Sequence, residues 1–106
     1  MNTLQNKYDA IENLIFRERL RMESLAIETE KDLLVIHLNN QLTVTAPISF
    51  FKRLKGASPT ALRHFKFVAN GTGIHWPELD EDLSLKGLLE EFLRQRVNSA
   101  SQLSII

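Results

Sequence analysis

Residues 33–47 read LLVIHLNNQLTVTAP, which is two β-prone runs joined by a polar tripeptide. A loop of three residues at 39–41 pairs apolar positions across the two runs, setting Leu34, Ile36 and Leu38 opposite Ala46, Val44 and Leu42. A two-residue loop would instead set the first run's leucine and isoleucine against threonines. The stretch therefore predicts an antiparallel hairpin with one apolar face. Pro47 ends it, because proline has no N–H group for a further ladder bond.

The segment after the hairpin carries helix-start signals. Ser49 is predicted to cap a short helix over residues 50–55, which Gly56 ends. Ser58 is predicted to cap a second helix with Pro59 in its first position. We therefore expect two short helices before the next strand.

The last third of the chain returns to a β pattern and then to an α pattern. Strands are predicted at residues 65–68 and 74–76, with the glycine-rich turn NGTG at 70–73 between them. A final helix is predicted to begin near Ser84. Its apolar face comprises Leu85, Leu88, Leu89, Phe92 and Leu93.

The N-terminal residues 3–17 show helical periodicity. One stripe comprises Leu4, Tyr8, Ile11 and Ile15. Such a stripe must be covered, because an isolated helix of this length is marginal in water. Two interpretations stay open: the helix packs on the domain's own sheet, or it pairs with a second copy or a partner.

Together these elements predict an α+β domain. We expect a small antiparallel sheet with an N-terminal amphipathic helix, short middle helices and a C-terminal helix. Residues 1–97 are predicted to form a single domain, and residues 98–106 a flexible tail. No internal repeat is evident in the sequence.

The composition excludes several classes of function. The chain has 106 residues, no cysteine, and 13 basic against 13 acidic residues. Disulfides, thiol catalysis and cysteine-ligated metals are therefore excluded. Zero net charge provides no overall field toward nucleic acid or an anionic membrane. With no apolar run long enough to span a bilayer and no secretory pattern, we expect a cytoplasmic protein with no membrane contact.

Catalytic and metal-binding patterns are weak. His37, His64 and His75 have no ligand spacing, and no G-x-S-x-G elbow is present. The acidic stretch Glu78–Asp82 lacks the periodic loop of a calcium site, so we expect solvated carboxylates. We therefore expect no metal, no cofactor and no enzymatic activity.

The longest cationic cluster lies beside two phenylalanines, and comprises Lys52, Arg53, Lys55, Arg63, His64 and Lys66. The simplest interpretation places the phenylalanines in the core and the cations in water, so a nucleic-acid partner is not expected. A cationic surface and an acidic loop on one small domain instead favour a protein partner selected by charge complementarity.

Several segments in order along the chain resemble one family. They are PISFFKRL at 47–54, ASP at 57–59, GIHW at 73–76, LDEDLS at 79–84 and GLL at 87–89. The chain is similar in these to the domain-of-unknown-function 2442 family, with a family-like core at about 20–93. The resemblance implies a small bacterial α+β protein with no established activity. It also implies a role in a toxin–antitoxin pair, since members are often encoded beside a second small protein, of the 4160 family.

Two functions follow as hypotheses. The first is a non-catalytic, antitoxin-like protein-interaction module that binds a protein partner or itself as a homodimer. The alternative is a small-ligand or metal-binding domain that uses the segment His75–Asp82. The candidate partner-binding residues are Leu4, Tyr8, Ile11, Ile15, His75, Trp76, Asp80, Glu81 and Asp82. Trp76 is also predicted to be at least half buried, beneath the final helix near Leu88 and Phe92.

Overall fold

The computed structural model describes residues 8–103, with side chains described for residues 8–96. These residues form three α-helices and two three-stranded antiparallel sheets, so the predicted α+β class is confirmed, with two sheets where one was expected. The helices are α1 (Ala10–Phe16), α2 (Pro59–Arg63) and α3 (Leu85–Leu103). The first sheet has β1 (Met22–Glu28), β2 (Leu33–Leu38) and β3 (Thr43–Pro47), and the second has β4 (Lys66–Val68), β5 (Gly73–Trp76) and β6 (Glu81–Ser84). No helix within residues 8–103 is long and apolar enough to cross a membrane.

The β2–β3 hairpin has the predicted register. Leu34 lies opposite Ala46 and Ile36 opposite Val44. At the loop, the N–H of Leu38 donates to the carbonyl of Leu42 at 2.9 Å. All of these positions except Leu42 are buried, so the alternation that selects the register also supplies the core.

The N-terminal helix begins later than the sequence predicts. Asp9 is its N-cap, with extended backbone (ψ 180°), and forms a capping box with Glu12. The Asp9 carboxylate accepts from the Glu12 N–H at 2.7 Å, and the Glu12 side chain accepts from the Asp9 N–H at 3.1 Å. Because these N–H groups are satisfied by side chains, the helix starts at Ala10. Tyr8 therefore precedes the helix, and Leu4 lies outside the described residues.

The predicted cap at Ser49 is wrong, whereas the cap at Ser58 is confirmed. Residues 48–50 form a single 3-10 turn. The N–H of Ser49 donates to a carboxylate oxygen of Asp32 at 3.0 Å, and its hydroxyl donates to the other. Asp32 lies in the left-handed region (φ 56°) at the end of the β1–β2 turn, which turns its carboxylate toward this loop. The Ser58 hydroxyl accepts from the Ala61 N–H at 3.1 Å, as expected.

The final helix begins at Leu85, as the sequence predicts. The Ser84 hydroxyl accepts from the Gly87 N–H at 3.0 Å. The helix continues past Asn98, the residue at which the sequence predicts a tail, and ends at Leu103.

The two sheets have the same strand arrangement, which the sequence does not reveal. Each is a meander of three antiparallel strands in chain order. In each, the first two strands are joined by a 3-10 turn of three residues. The equivalent cross-strand pairs next to this turn are Glu28–Leu33 and Val68–Gly73.

The exits from the two meanders are also equivalent. After β3, the N–H of Ile48 donates to the carbonyl of Asp32 at 3.0 Å. After β6, the N–H of Leu85 donates to the carbonyl of Thr72 at 2.8 Å. Each bond ties the start of the following helical segment to the residue that closes the 3-10 turn. The two meanders are therefore a tandem repeat of one strand arrangement, and the second is followed by the long helix α3.

One core joins the two meanders with α1 and α3. Trp76 is fully buried, so its predicted burial is confirmed, whereas its described contacts are with α2 and Phe65 and not with the final helix. Its indole N–H donates to the carbonyl of Leu62 at 2.8 Å, and its ring lies 6.1 Å from that of Phe65. Its position is thus set by α2 and by the residue that precedes β4.

Candidate protein-interaction groove

The acidic segment 78–82 is bonded to the cationic cluster. The Arg53 guanidinium bonds to Asp80, 3.2 Å from its carboxylate and closer to its carbonyl oxygen. His64 Nδ1 lies 2.8 Å from a Glu78 carboxylate oxygen. The expectation of separate positive and negative surfaces is therefore wrong, because tertiary packing brings the two segments together.

His75 and Asp82 form another pair on neighbouring strands. They are opposed in the β5–β6 ladder, and His75 Nδ1 lies 2.7 Å from Asp82 Oδ1. Among the described side chains, no group of three or more histidines and carboxylates is close enough to hold a metal ion. The described side chains therefore provide no cluster of ligands for the metal-binding alternative that uses the segment His75–Asp82.

An apolar groove lies where α1, the β2–β3 hairpin and α3 meet. It encloses about 390 Å³. Its floor consists of the buried side chains Leu20, Leu38, Val44 and Leu89. Its rim carries one exposed leucine from each wall: Leu14 (38% exposed) from α1, Leu42 (60%) from the hairpin and Leu93 (47%) from α3. We refer to this surface as the leucine groove.

The positions of Leu42 in the hairpin and of Leu93 in α3 explain why these rim side chains are exposed. Leu42 continues the inward face of β3, two residues before Val44, but it lies at the hairpin's end, past the packed core. Leu93 lies one helical turn beyond Leu89 on the same face of α3, but it is exposed where Leu89 is buried. Each leucine thus extends a core-facing row beyond the point where the core ends.

Two polar contacts fix α1 as a wall of the leucine groove. Lys86 Nζ of α3 donates to Glu12 at 2.9 Å and lies 3.6 Å from Asp9. The Arg21 guanidinium donates to the carbonyls of Ile15 at 2.7 Å and of Leu20 at 2.8 Å. The Ile15 carbonyl belongs to the last turn of α1 and is one of the acceptors that helix geometry leaves open, whereas the Leu20 carbonyl lies beyond the helix.

The charges at the start of α1 stabilise one another. The hydrogen bond from the Glu12 N–H lowers the pKa of Asp9 from its ordinary value. The Lys86 ammonium, through its hydrogen bond, lowers the pKa of Glu12. The same bond raises the pKa of Lys86.

The structure separates the residues that the sequence nominates as partner contacts. Ile11 lines the leucine groove, whereas Ile15 (2% exposed) and Trp76 (0%) are core residues and offer no surface to a partner. Tyr8 packs against Phe16, with ring centroids 5.1 Å apart. The acidic candidates Asp80, Glu81 and Asp82 do not line the groove.

The sequence does not predict the rim residues Leu42 and Leu93 as partner contacts. Both belong to predicted apolar faces, so periodicity assigns them to the core. Only the exposed fraction of each side chain distinguishes a rim leucine from a core leucine.

Comparison with known proteins identifies the family. The model of a family described as "Protein of unknown function (DUF2442)" matches residues 25–94, from within β1 to within α3. A crystal structure of a protein of unknown function from Rhodospirillum rubrum is 30% identical, covers 70% of this chain and 89% of its own, and has a TM-score of 0.63. A solution NMR structure of an uncharacterized protein from Chromobacterium violaceum is 30% identical, covers 85% and 82%, and has a TM-score of 0.62. No curated protein matches the chain. By its match over more than half its length, the chain belongs to the DUF2442 family of proteins of unknown function.

Proposed function

We propose that this chain is a non-catalytic protein-interaction domain and that the leucine groove is its docking surface. The observation that carries the proposal is the rim of three exposed leucines around an apolar floor. Contiguous apolar surface of this kind on a water-exposed domain marks binding sites for proteins or other apolar ligands. A protein segment fits the open shape of the groove, since three separate elements can contact it at once.

The ionisable groups support the non-catalytic part of the proposal. Among the described side chains, no charged or polar residue is buried. The His64–Glu78 pair is exposed on both sides (58% and 54%). Catalytic acids and bases are usually found where burial and a specific charge partner act together on one group.

Photo-crosslinking in living cells tests the proposal. A benzoylphenylalanine at Leu42 or at Leu93 should yield a discrete protein adduct after irradiation. The same probe at Phe50, an exposed aromatic outside the groove (53% exposed), is the matched control and should not yield that adduct. If folded protein with the probe at both groove positions forms no adduct, the groove is not a docking surface.

A finer role, that of an antitoxin, is supported by the family resemblance alone. It predicts that a 4160-family protein is encoded beside this chain and that co-expression of the chain rescues growth that this second protein inhibits. Rescue by the wild-type chain and its loss in Leu93→Asp would support that role. A second protein that is harmless when expressed alone would exclude it.

A further inference from the structure

In α3, the apolar pair Phe92 and Leu93 is flanked by charges of opposite sign. Residues 90–96 read EEFLRQR, with two glutamates before Phe92 and Leu93 and two arginines after them. In an antiparallel arrangement of two such helices, the acidic half of each meets the basic half of the other. We propose that the leucine groove is occupied by a second copy of this chain, with the two α3 helices antiparallel across a twofold axis. This inference rests on the proposed docking role of the groove and names its occupant.

The positions on α3 fit this geometry. Lys86, Glu90 and Arg94 are spaced four residues apart and so share one flank of the helix. Lys86 bonds to Glu12, which shows that this flank borders α1 and the leucine groove. With a twofold axis at the level of Phe92, Glu90 of each copy lies opposite Arg94 of the other.

These two charges are accessible to a second copy. Glu90 and Arg94 are both exposed, and Lys86 already has Glu12 and Asp9 as partners. Arg94 bonds to Glu91 within its own helix, but its side chain is 63% exposed. The Glu91 side chain is only 15% exposed, but Gln95 also donates to it at 3.3 Å, so its carboxylate keeps a partner when Arg94 turns toward a second copy.

The apolar surface also fits a second copy. In the same arrangement, Leu93 of each copy enters the other's groove between Leu14 and Leu42. The exposed leucines alone supply a few hundred Å², less than the roughly 800 Å² per partner of a stable interface. Contact along the described side chains of α3, residues 85–96, adds to this area. An isologous dimer needs one surface that is complementary to itself, and this flank meets that condition.

Charge reversal tests the arrangement with the full-length chain. Wild type should sediment at twice the 12.2 kDa chain mass. Glu90→Arg sets two arginines against each other, and Arg94→Glu sets two glutamates against each other, so each should weaken the dimer by about tenfold or more. The double variant Glu90→Arg/Arg94→Glu restores both pairs and should dimerise within about threefold of wild type. The matched control Glu30→Arg reverses an exposed charge outside the groove and should leave the mass unchanged.

Mixing the two single variants gives the most specific result. An equimolar mixture should form a heterodimer, because each contact then joins an arginine to a glutamate. Far-UV circular dichroism of every variant establishes that the fold is kept. The proposal that a second copy occupies the groove would be overturned if the wild type is monomeric at high concentration. It would also be overturned if the double variant dimerises as weakly as the single variants. A photo-adduct at Leu42 with a different protein would also overturn the second copy as occupant, but the groove would remain a docking surface. If neither groove position forms an adduct, both the docking role and the second copy are refuted.

Discussion

Replacement of Trp76 by phenylalanine tests how α2 is held against the second meander in the core. The indole is fully buried, and its N–H donates to the Leu62 carbonyl at 2.8 Å. Trp76→Phe keeps a six-membered ring in place but removes the donor and the second ring. The Leu62 carbonyl then remains in the core without this partner.

The expected loss of stability has two parts. Leaving a buried acceptor unsatisfied costs about 1–3 kcal/mol. A residual cavity of roughly 40 Å³ adds about 1 kcal/mol at about 24 cal/mol per Å³. The sum, about 2–4 kcal/mol, is a large share of the roughly 5–15 kcal/mol that stabilises a typical domain. The melting temperature should fall by roughly 10–25 °C.

Urea titration followed by far-UV circular dichroism measures the difference. Trp76 is the single tryptophan of the chain, so fluorescence cannot follow the variant on equal terms with wild type. We expect the midpoint to fall by about 1–2 M. Phe50→Leu is the control, because Phe50 is 53% exposed and should shift the free energy of unfolding by about 0.5 kcal/mol or less. A Trp76→Phe loss as small as that of the control would refute the role assigned to the indole N–H.

Three further predictions concern the contacts that fix α1 and the first meander. Because Lys86 lowers the pKa of Glu12, this stabilisation is present above the ordinary pKa of a glutamate and is lost as pH falls through the lowered pKa. Glu12→Gln should therefore melt a few degrees below wild type at pH 7, and the gap should close at acid pH, where Glu12 is protonated in both the folded and the unfolded state. Asp32→Ala should lower the free energy of unfolding, measured by urea titration, by about 1–3 kcal/mol, because it removes the hydrogen bonds to Ser49 and places alanine in the left-handed region. Asp32→Asn should lower it less. Ile15→Ala should lower the free energy of unfolding by about 2–5 kcal/mol in the same assay, because it removes a buried side chain. An unchanged midpoint would show that Ile15 is not a core residue.

Sequence alone determined the features that depend on near neighbours. The register of the β2–β3 hairpin follows from the two-residue period of residues 33–47, because a slip of one residue would turn every leucine to water. The Ser58 cap and the start of α3 follow from side chains within three residues of the N–H groups that they satisfy. Burial of Trp76 follows from its place at the end of an apolar strand.

The tandem repeat could be recognised only from the structure. The two meanders share hydrogen bonds and register, and these depend on backbone geometry that many sequences satisfy. At the equivalent turn-closing positions the side chains are unrelated: Asp32 in the first copy and Thr72 in the second. Periodicity therefore identifies the strands of each copy but not their equivalence.

Tertiary structure also decided where the polar groups and the exposed leucines lie. Ser49 bonds to Asp32, and Arg53 to Asp80, across long separations in sequence that local patterns do not encode. The leucine groove is assembled from α1, the hairpin and α3, and its rim leucines have the same spacing as leucines of the core. Periodicity gives the direction of a side chain relative to its own element, whereas exposure depends on where the neighbouring elements end.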